Sequence, residues 1–261
     1  MELNFSEDIL KILLKDNTTG KNILWATNDY KNFGEKYFAD KEIKIEQLNI
    51  IEPRFKKIRE KQKLRTRDMA EIFTPTWICN EQNNLIDADW FDNAENNNWQ
   101  AYVESNRLEI TCGEAPYLVS RYDATSGDPI PIDDRIGLLD RKLRVISKNV
   151  GDVEQWLTWA VKAVQSIYGY EFQGDNLFIA RNNILMSVKE YFQHKFSFEP
   201  SQGFLKTTAE IISWNLWQMD GLTNTIPYST TDLFSDDNYC RIKDWRENKT
   251  LKFIEVFKER N

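Results

Sequence analysis

A short stretch near the middle of the chain, residues 107–118, has the residue types of a ligand-binding turn. Apolar residues flank Glu109, and small residues follow at positions 111–115. A strand that ends on a carboxylate and turns through glycine into a helix is how a mononucleotide-binding fold presents its backbone to a ligand. Gly113 and Ala115 are small enough to let a ligand approach the main chain. The pattern alone is not specific, because many such turns bind nothing.

Two further acids stand at the ends of predicted strands. Residues 166–172 predict a strand that ends near Glu171, and residues 215–222 predict a short apolar run that ends near Asp220. Taken singly, either acid could be an exposed loop residue. Because the carboxyl ends of parallel strands meet at one edge of a sheet, both acids are expected to lie near Glu109 and to contact a ligand.

Helical periodicity between these strands completes the predicted fold. Apolar residues recur at helical spacing in four segments: 136–146, 153–164, 176–192 and 207–214. Upstream, Thr74 is a predicted N-cap, with Pro75 in the first turn of a helix that runs to about residue 85. Near the C-terminus, residues 250–257 predict a strand. The order strand, helix, strand, helix, strand predicts an α/β fold with a parallel sheet.

A basic strip occupies residues 54–67, which hold eight basic residues and one acid in a chain of net charge −7. The helical pattern of residues 43–69 places this strip on a second helix that begins near Pro53. Such a strip fits contact with a polyanion, although an ordinary solvated helix face remains an alternative. The predicted nucleic-acid-binding residues are Arg54, Lys56, Lys57, Lys61 and Arg65.

The composition argues against several other classes of protein. A single histidine, His194, disfavours a histidine-based triad or a histidine-rich metal site. The three cysteines, Cys79, Cys112 and Cys240, lie far apart, so they support neither a disulfide framework nor a zinc site. They fit a reducing compartment, and a cytoplasmic location is expected. No apolar run approaches 18 residues, so no membrane span or membrane partner is expected.

Four segments resemble, in order, the motifs of DNA adenine-N6 methyltransferases. Residues 72–75 (IFTP) resemble the family's F-T-P element, and residues 109–118 (EITCGEAPYL) resemble its first motif, D-P-A-C-G-T-G-x-F-L. Residues 168–185 resemble the second motif, G-x-D/E-x-D-P-x-A-x-x-A-R-x-N-L, and include Glu171 and Arg181. Residues 215–222 resemble the third, N-I-x-Q-G-D-x-L, and include Asn215, Gln218 and Asp220. The chain resembles the methylase subunits of bacterial restriction–modification systems.

The resemblance implies a fold and a cofactor. Residues 70–261 would form a Rossmann-like S-adenosylmethionine-dependent methyltransferase core with a complete or partial parallel sheet. Residues 1–69 would form a mostly helical N-terminal extension that carries the basic helix. The implied cofactor is S-adenosylmethionine, and no metal is expected. If the sheet is only half of the family's sheet, the strand near Glu109 would be an open edge.

The resemblance also assigns roles to individual residues. Glu171 would accept hydrogen bonds from both ribose hydroxyls, Phe172 would lie against the adenine ring, and Asp220 would accept from the adenine amino group. Glu109 and the turn at 111–115 would face the methionine part, with the F-T-P element beside it. The implied cofactor-binding residues are Phe73, Thr74, Glu109, Thr111, Cys112, Gly113, Ala115, Glu171, Phe172 and Asp220.

Two departures from the family pattern bear on function. Ala115 replaces the last glycine of the first motif, which is tolerable unless the backbone there needs a positive φ. No N-P-P-Y or D-P-P-Y tetrapeptide occurs, and the nearest segment, residues 225–228, is interpreted as a loop. Catalytic residues are therefore not assigned.

Three functions remain open from the sequence. The first is a methylase subunit that methylates a flipped adenine with the help of a second polypeptide or a missing C-terminal region. Its partners would be double-stranded DNA and a second methylase, restriction or specificity subunit. The second is a non-catalytic, methyltransferase-derived protein that binds cofactor or DNA. The third is an interaction protein in which Glu171 and Asp220 are idle.

Overall fold

The computed structural model describes residues 4–69, 71, 74–92, 98–229 and 238–258. Over these residues the protein is an α/β structure with one parallel sheet and a small antiparallel hairpin. The strands are β1 (Arg107–Glu109), β2 (Ile167–Glu171), β3 (Leu216–Gln218), β4 (Arg241–Asp244) and β5 (Lys249–Lys252). The helices are α1 (Glu7–Leu14), α2 (Arg59–Met69), α3 (Thr76–Asp92), α4 (Trp99–Glu104), α5 (Leu138–Asn149), α6 (Val153–Gln165), α7 (Gly174–Phe196), α8 (Gln202–Asn215) and α9 (Phe253–Lys258).

The parallel sheet has the strand order β1-β2-β3. Glu109 pairs with Gly169 across β1 and β2, and Glu171 pairs with Gln218 across β2 and β3. Helices α5 and α6 connect β1 to β2, and α7 and α8 connect β2 to β3. The predicted parallel α/β arrangement is confirmed. Because all three strands run the same way, the residues that follow Glu109 and Glu171 emerge at one edge of the sheet.

The two faces of the sheet are covered differently. Cross-strand partners alternate between the faces, so Ile167 and Leu216 lie on one face and Tyr168 and Trp217 on the other. The first face, which we call the back face, packs against α7 and α8 in the main hydrophobic core. The opposite, front face carries a smaller apolar cluster formed with β4, β5 and α9.

The N-terminal segment shares the core of the sheet layer. Helix α1 packs against α8, and the buried Trp25 and Ile43 belong to the same apolar cluster as α7. The backbone N–H of Gly174 donates to the carbonyl of Trp25 (3.0 Å). A Cβ on Gly174 would stand 1.9 Å from the carbonyl oxygen of Leu24, so only glycine fits this contact. The first residues of the chain therefore form part of the support for α7.

Two local expectations were wrong. The basic segment begins with a 3-10 helix at Arg54–Lys56, and α2 starts only at Arg59 rather than at Pro53. The predicted strand at 250–257 ends at Lys252, where α9 begins, because a short apolar run fits either structure. The helix predicted at residues 136–146 is confirmed as α5, and residues 110–118 form successive turns before it. No helix in the described part of the chain is long and apolar enough to cross a bilayer.

Candidate functional site

A cavity of about 640 Å³ lies at the carboxyl ends of β1 and β2. It is the place where an open parallel sheet binds its ligand. The described residues of its wall are Glu71, Thr74, Gln82, Asn83, Ile86, Leu108, Glu109, Ile110, Thr111, Cys112, Gly113, Pro116, Tyr117, Leu138, Glu171, Phe172, Gln173 and Asn176. The cavity therefore brings together segments that are up to 105 positions apart in the sequence.

Two buried carboxyl groups tie the turn at 111–118 to the strand ends. Glu109 accepts from the backbone N–H of Tyr117 (3.3 Å) and of Leu118 (3.1 Å), one on each oxygen. Glu171 accepts from the backbone N–H of Gly113 (2.8 Å) and of Gln173 (3.0 Å), again one on each oxygen. A carboxylate oxygen can accept more than one hydrogen bond, so each group retains capacity for a ligand.

Burial shifts the titration of both groups. It raises the pKa of Glu109 to about 8, and the nearby charge of Glu171 adds to this effect, while the two backbone donors oppose it. Burial likewise raises the pKa of Glu171 to about 7 against its two backbone donors. Near neutral pH, Glu109 is therefore mainly protonated and Glu171 partly protonated, and a bound cation would displace these protons.

The backbone of the turn adopts left-handed conformations at three positions: Thr111 (φ 45°), Gly113 (φ 54°) and Ala115 (φ 63°). Ala115 thus occupies a position with the positive φ that the family's glycine allows. Its methyl group is fully buried, and its N–H donates to the carbonyl of Cys112 (2.7 Å). A non-glycine residue in this region costs on the order of 1–2 kcal/mol, so the turn is held against local strain by its contacts.

Thr111→Asn is expected to raise the free energy of unfolding by up to about 1 kcal/mol, because asparagine tolerates the left-handed region better than a β-branched residue. Urea unfolding of the two proteins measures the difference. The matched control is Thr158→Asn in α6, where the backbone is helical and no gain is expected. A loss of stability in Thr111→Asn would contradict the assignment of strain to this position.

Three more polar residues of the wall are buried and keep an unused acceptor. Oε1 of Glu71, Oδ1 of Asn83 and Oε1 of Gln173 have no hydrogen-bond partner among the described residues. Oε1 of Glu71 lies 3.8 Å from Nη1 of Arg54. Buried polar atoms in proteins are nearly always hydrogen-bonded, so the acceptors of Asn83 and Gln173 remain available to donors from elsewhere. Nothing in the sequence indicated that Glu71, Asn83 or Gln173 belongs to a site, except that Gln173 closely follows the predicted site residue Glu171.

The other expected cofactor contacts divide into two groups. Thr74, Thr111, Cys112, Gly113 and Phe172 line the cavity. Asp220 does not: its Oδ1 accepts from the backbone N–H of Leu222 (2.9 Å), and its own N–H donates to the carbonyl of Thr225 (2.8 Å). Short acids commonly stabilise turns in this way, so the strand-end position of Asp220 reflects a turn after β3. Ala115 is buried behind the wall, and Phe73 lies outside the described residues.

The basic strip is largely turned inward. Nζ of Lys57 and Nη1 of Arg65 each lie 3.0 Å from Oδ2 of the fully buried Asp175. Burial opposes ionisation of Asp175, but the charges of Arg65 and Lys57 outweigh it and hold the pKa of the carboxyl well below its usual range. Arg65 also pairs with Glu71 (2.5 Å). The predicted phosphate contact of Lys57 and Arg65 is therefore corrected: both are buried in an internal ion cluster behind the cavity.

The remaining basic residues of the strip differ in exposure. Arg54 is mostly buried and donates to the carbonyl of Glu71 (2.7 Å). Lys56 is exposed, as are Arg59 and Lys63. The side chain of Lys61 lies outside the described part of the structure. The sequence showed the number of charges in this segment but not that a buried acid more than 100 residues away, Asp175, pairs with two of them.

Three motif residues support the strands rather than the cavity. Arg181 is fully buried and makes five hydrogen bonds to backbone carbonyls. Asn215 donates to the carbonyls of residues 164, 165 and 167 at the end of α6. Gln218 accepts from the N–H of Leu24 (2.7 Å) and donates to the carbonyls of Leu24 and Phe172. Part of the motif pattern therefore coincides with residues that fix the sheet.

No protein-family model matches the chain, and comparison with curated proteins and with solved structures found no match either. Within the described ranges, no group of three or more histidine, cysteine, aspartate or glutamate residues is arranged to hold a metal ion. Function is therefore inferred from the shape and chemistry of the cavity, together with the resemblance of the motifs.

Proposed function

We propose that this chain is the S-adenosylmethionine-binding methylase subunit of a bacterial restriction–modification system. It would methylate N6 of a flipped adenine in DNA, with a second polypeptide or a further region completing the catalytic site. The observation that carries the proposal is the single cavity at the ends of adjacent parallel strands. Glu109, the turn at 111–113, Glu171, Phe172 and Thr74 all line it, and these are the positions that the motif resemblance assigns to the cofactor.

The charge of the cavity separates this cofactor from phosphate-containing nucleotides. Its described wall contains three carboxyl groups, those of Glu71, Glu109 and Glu171, and no Lys, Arg or His. The backbone N–H groups near the start of α7 are also occupied: Gln173 donates to Glu171, and Asn176 donates to Asp175 (2.9 Å). A phosphate would find no cationic side chain in the described wall, and the N–H groups of Gln173 and Asn176 at this helix start are already engaged. A cationic ligand rich in donors fits.

Different residues of the wall would contact different parts of the ligand. Glu171 would accept the ribose hydroxyls, and Phe172, which packs edge-on against Tyr228 with centroids 5.7 Å apart, would support the adenine ring. Glu109 would face the positively charged methionine part, whereas the carboxylate of Glu71 is already paired with Arg65 (2.5 Å). Bound there, S-adenosylmethionine supplies a methyl group on a positively charged sulfur. The carboxyls favour this cation over the neutral sulfur that remains after transfer.

The proposed partners follow from the resemblance to methylase subunits. The sequence has no N-P-P-Y, the element that accepts the target amino group in the resembled family. A second methylase, restriction or specificity subunit would supply it. Double-stranded DNA would be contacted on this chain by exposed basic residues such as Lys56, and mainly by the partner. A non-catalytic, methyltransferase-derived cofactor- or DNA-binding protein is the alternative, and the missing tetrapeptide favours it.

Calorimetric titration with S-adenosylmethionine tests the proposal. We expect saturable one-site binding in the micromolar range, as is usual for a small ligand of an enzyme. Absence of binding at millimolar concentration would reject both the methylase and the cofactor-binding alternative. A methyl-transfer assay on DNA, with and without the product of the neighbouring gene, then separates these two. If neither mixture methylates adenine, the non-catalytic alternative stands.

Proton release gives a second prediction for the same binding event. The pKa values of Glu109 and Glu171 are raised by burial, so a bound cation must drive protons off these groups. Affinity is expected to fall as the pH is lowered from 7.5 to 6, by up to about tenfold per pH unit for each coupled proton. Calorimetry in two buffers of different ionisation enthalpy counts the protons. Binding without proton release would show that the carboxyls do not face the cation.

A further inference from the structure

A second cavity, of about 760 Å³, opens on the front face of the sheet between β1 and the β4–β5 hairpin. We propose that this front cleft is the docking site of an acidic amphipathic helix from a partner polypeptide. The proposal deepens the proposed function, because it gives the catalytic partner a place to bind. The residues that carry it are Leu108, Tyr168, Trp217, Lys243, Trp245 and Arg246, all of which line the cleft.

The front face of the sheet is incompletely covered by the described residues. Parallel sheets occur almost only with both faces covered, and the covering layer is helical. Here the front face is covered over β3, where Trp217 packs with Ile242 and Phe253. Over β1 the described residues leave the face open: the side chains of Leu108 and of Ile110, just after the strand, are 43% and 63% exposed. Within the described part of the chain the cleft therefore has no covering layer, and a helix is the element that covers such a position in parallel sheets.

The rim of the cleft is positively charged. Among the described residues, no carboxylate pairs with Lys243 or Arg246. Lys243 lies over the ring of Trp245 (4.5 Å), and Nη2 of Arg246 donates to the backbone carbonyl of Glu104 (3.1 Å). The nearby acids are already engaged: Glu104 pairs with Lys162 (2.6 Å), and Asp244 accepts backbone N–H groups. A chain of net charge −7 thus presents an apolar cleft edged by two cations that have no carboxylate partner among the described residues. An amphipathic helix with an acidic polar flank complements both features.

The front cleft adjoins the ligand cavity at the ends of β1 and β2. Leu108 lines both cavities, so a helix seated over β1 stands beside the mouth of the first. Binding sites frequently lie at such junctions between domains or chains. A partner docked in the front cleft could therefore reach a ligand held by Glu109 and Glu171.

A designed peptide pair tests the proposal on the full chain. The probe is a fluorescent amphipathic helix of about five turns, or about 18 residues, with a leucine stripe and a glutamate flank. Its counterpart carries lysine in place of glutamate. We expect saturable binding of the acidic peptide by fluorescence anisotropy and at least about tenfold weaker binding of the basic one. Leu108→Asp and Lys243→Glu/Arg246→Glu should each weaken the acidic peptide about tenfold or more.

Matched controls and alternatives make each result decisive. Phe198→Asp and Lys206→Glu change equally exposed residues away from the cleft and should leave peptide binding unchanged. Equal binding of both peptides, or no effect of the cleft variants, would overturn the proposal. A dimer that Leu108→Asp dissociates would also overturn the proposal, because it would identify a second copy of the chain as the occupant. Binding of oligothymidylate that Lys243→Glu abolishes would overturn it as well. Calorimetry with S-adenosylmethionine on Lys243→Glu/Arg246→Glu, whose residues line the front cleft and not the ligand cavity, separates this outcome from failure of the proposed function.

Discussion

Glu171→Ala is expected to weaken S-adenosylmethionine binding by roughly 10- to 150-fold while the protein stays folded. The carboxyl links the end of β2 to the turn through Gly113 (2.8 Å) and also lines the cavity. Its removal would delete the acceptor for the ribose hydroxyls and release the turn. Loss of hydrogen bonds to a charged acceptor costs about 1.5–3 kcal/mol, which corresponds to roughly 10- to 150-fold in affinity.

Two companion variants separate binding from folding. Glu171→Gln keeps one acceptor for the backbone of the turn but cannot ionise, so it should bind more weakly than wild type yet unfold at a similar urea concentration. Asp220→Ala is the matched acid control: Asp220 also follows a strand, but it stabilises a turn and lies outside the wall. We expect less than about threefold change in its affinity. Unchanged affinity in Glu171→Ala, or a large loss in Asp220→Ala, would show that the cavity is not the cofactor site.

Arg181→Met is expected to lower the free energy of unfolding by about 3–5 kcal/mol, the largest effect on stability among the substitutions considered. The guanidinium is fully buried and donates to the carbonyls of Leu13 (2.7 Å), Lys15 (2.9 Å), Ser213 (3.1 Å) and Leu216 (2.6 Å). Methionine fills similar space but leaves these acceptors unsatisfied. Burial lowers the pKa of Arg181 to about 10, so the group still carries its charge at neutral pH.

Urea unfolding measures this loss as a shift of the midpoint at constant slope. Arg241→Met, at an exposed position of β4, is the matched control and should change stability by no more than about 0.5 kcal/mol. Arg181→Lys should be intermediate, because the charge remains but the fork of donors is lost. A loss below about 1 kcal/mol in Arg181→Met would mean that the bonds from α7 to α1 and β3 contribute little to folding.

The variants of Glu171 and Arg181 also distinguish two reasons for a motif match, which are contact with a ligand and support of the fold. Glu171 and Arg181 belong to the same resembled segment, yet one lines the cavity and the other fastens α7 to β3. Asn215 and Gln218, in the third segment, bind backbone groups in the same way as Arg181. Residues that hold the strands in place can recur as regularly as residues that hold a ligand. A motif match therefore indicates a shared framework before it indicates a shared activity.

The amino-acid sequence by itself determined the order of the elements and the position of two site carboxyls. Periods of 3.6 and 2 residues are local properties, so α6, α7, β2 and β3 were predicted within a few residues. Glu109 and Glu171 could be placed at one edge because parallel strands align their carboxyl ends. The ends of short elements were less certain, as the late start of α2 and the helix after Lys252 show.

The tertiary structure alone decided which charges face water and which residues complete the cavity. Arg65 and Asp175 are 110 positions apart, and each is tolerated in the interior because the other is there; a lone basic residue gives no sign of such a partner. Tertiary packing places Glu71, Asn83 and Gln173 in the wall of the cavity. Asp220 does not line the cavity, because its carboxylate accepts a hydrogen bond within a turn. Pairing and burial depend on distance in space, which local sequence patterns do not encode.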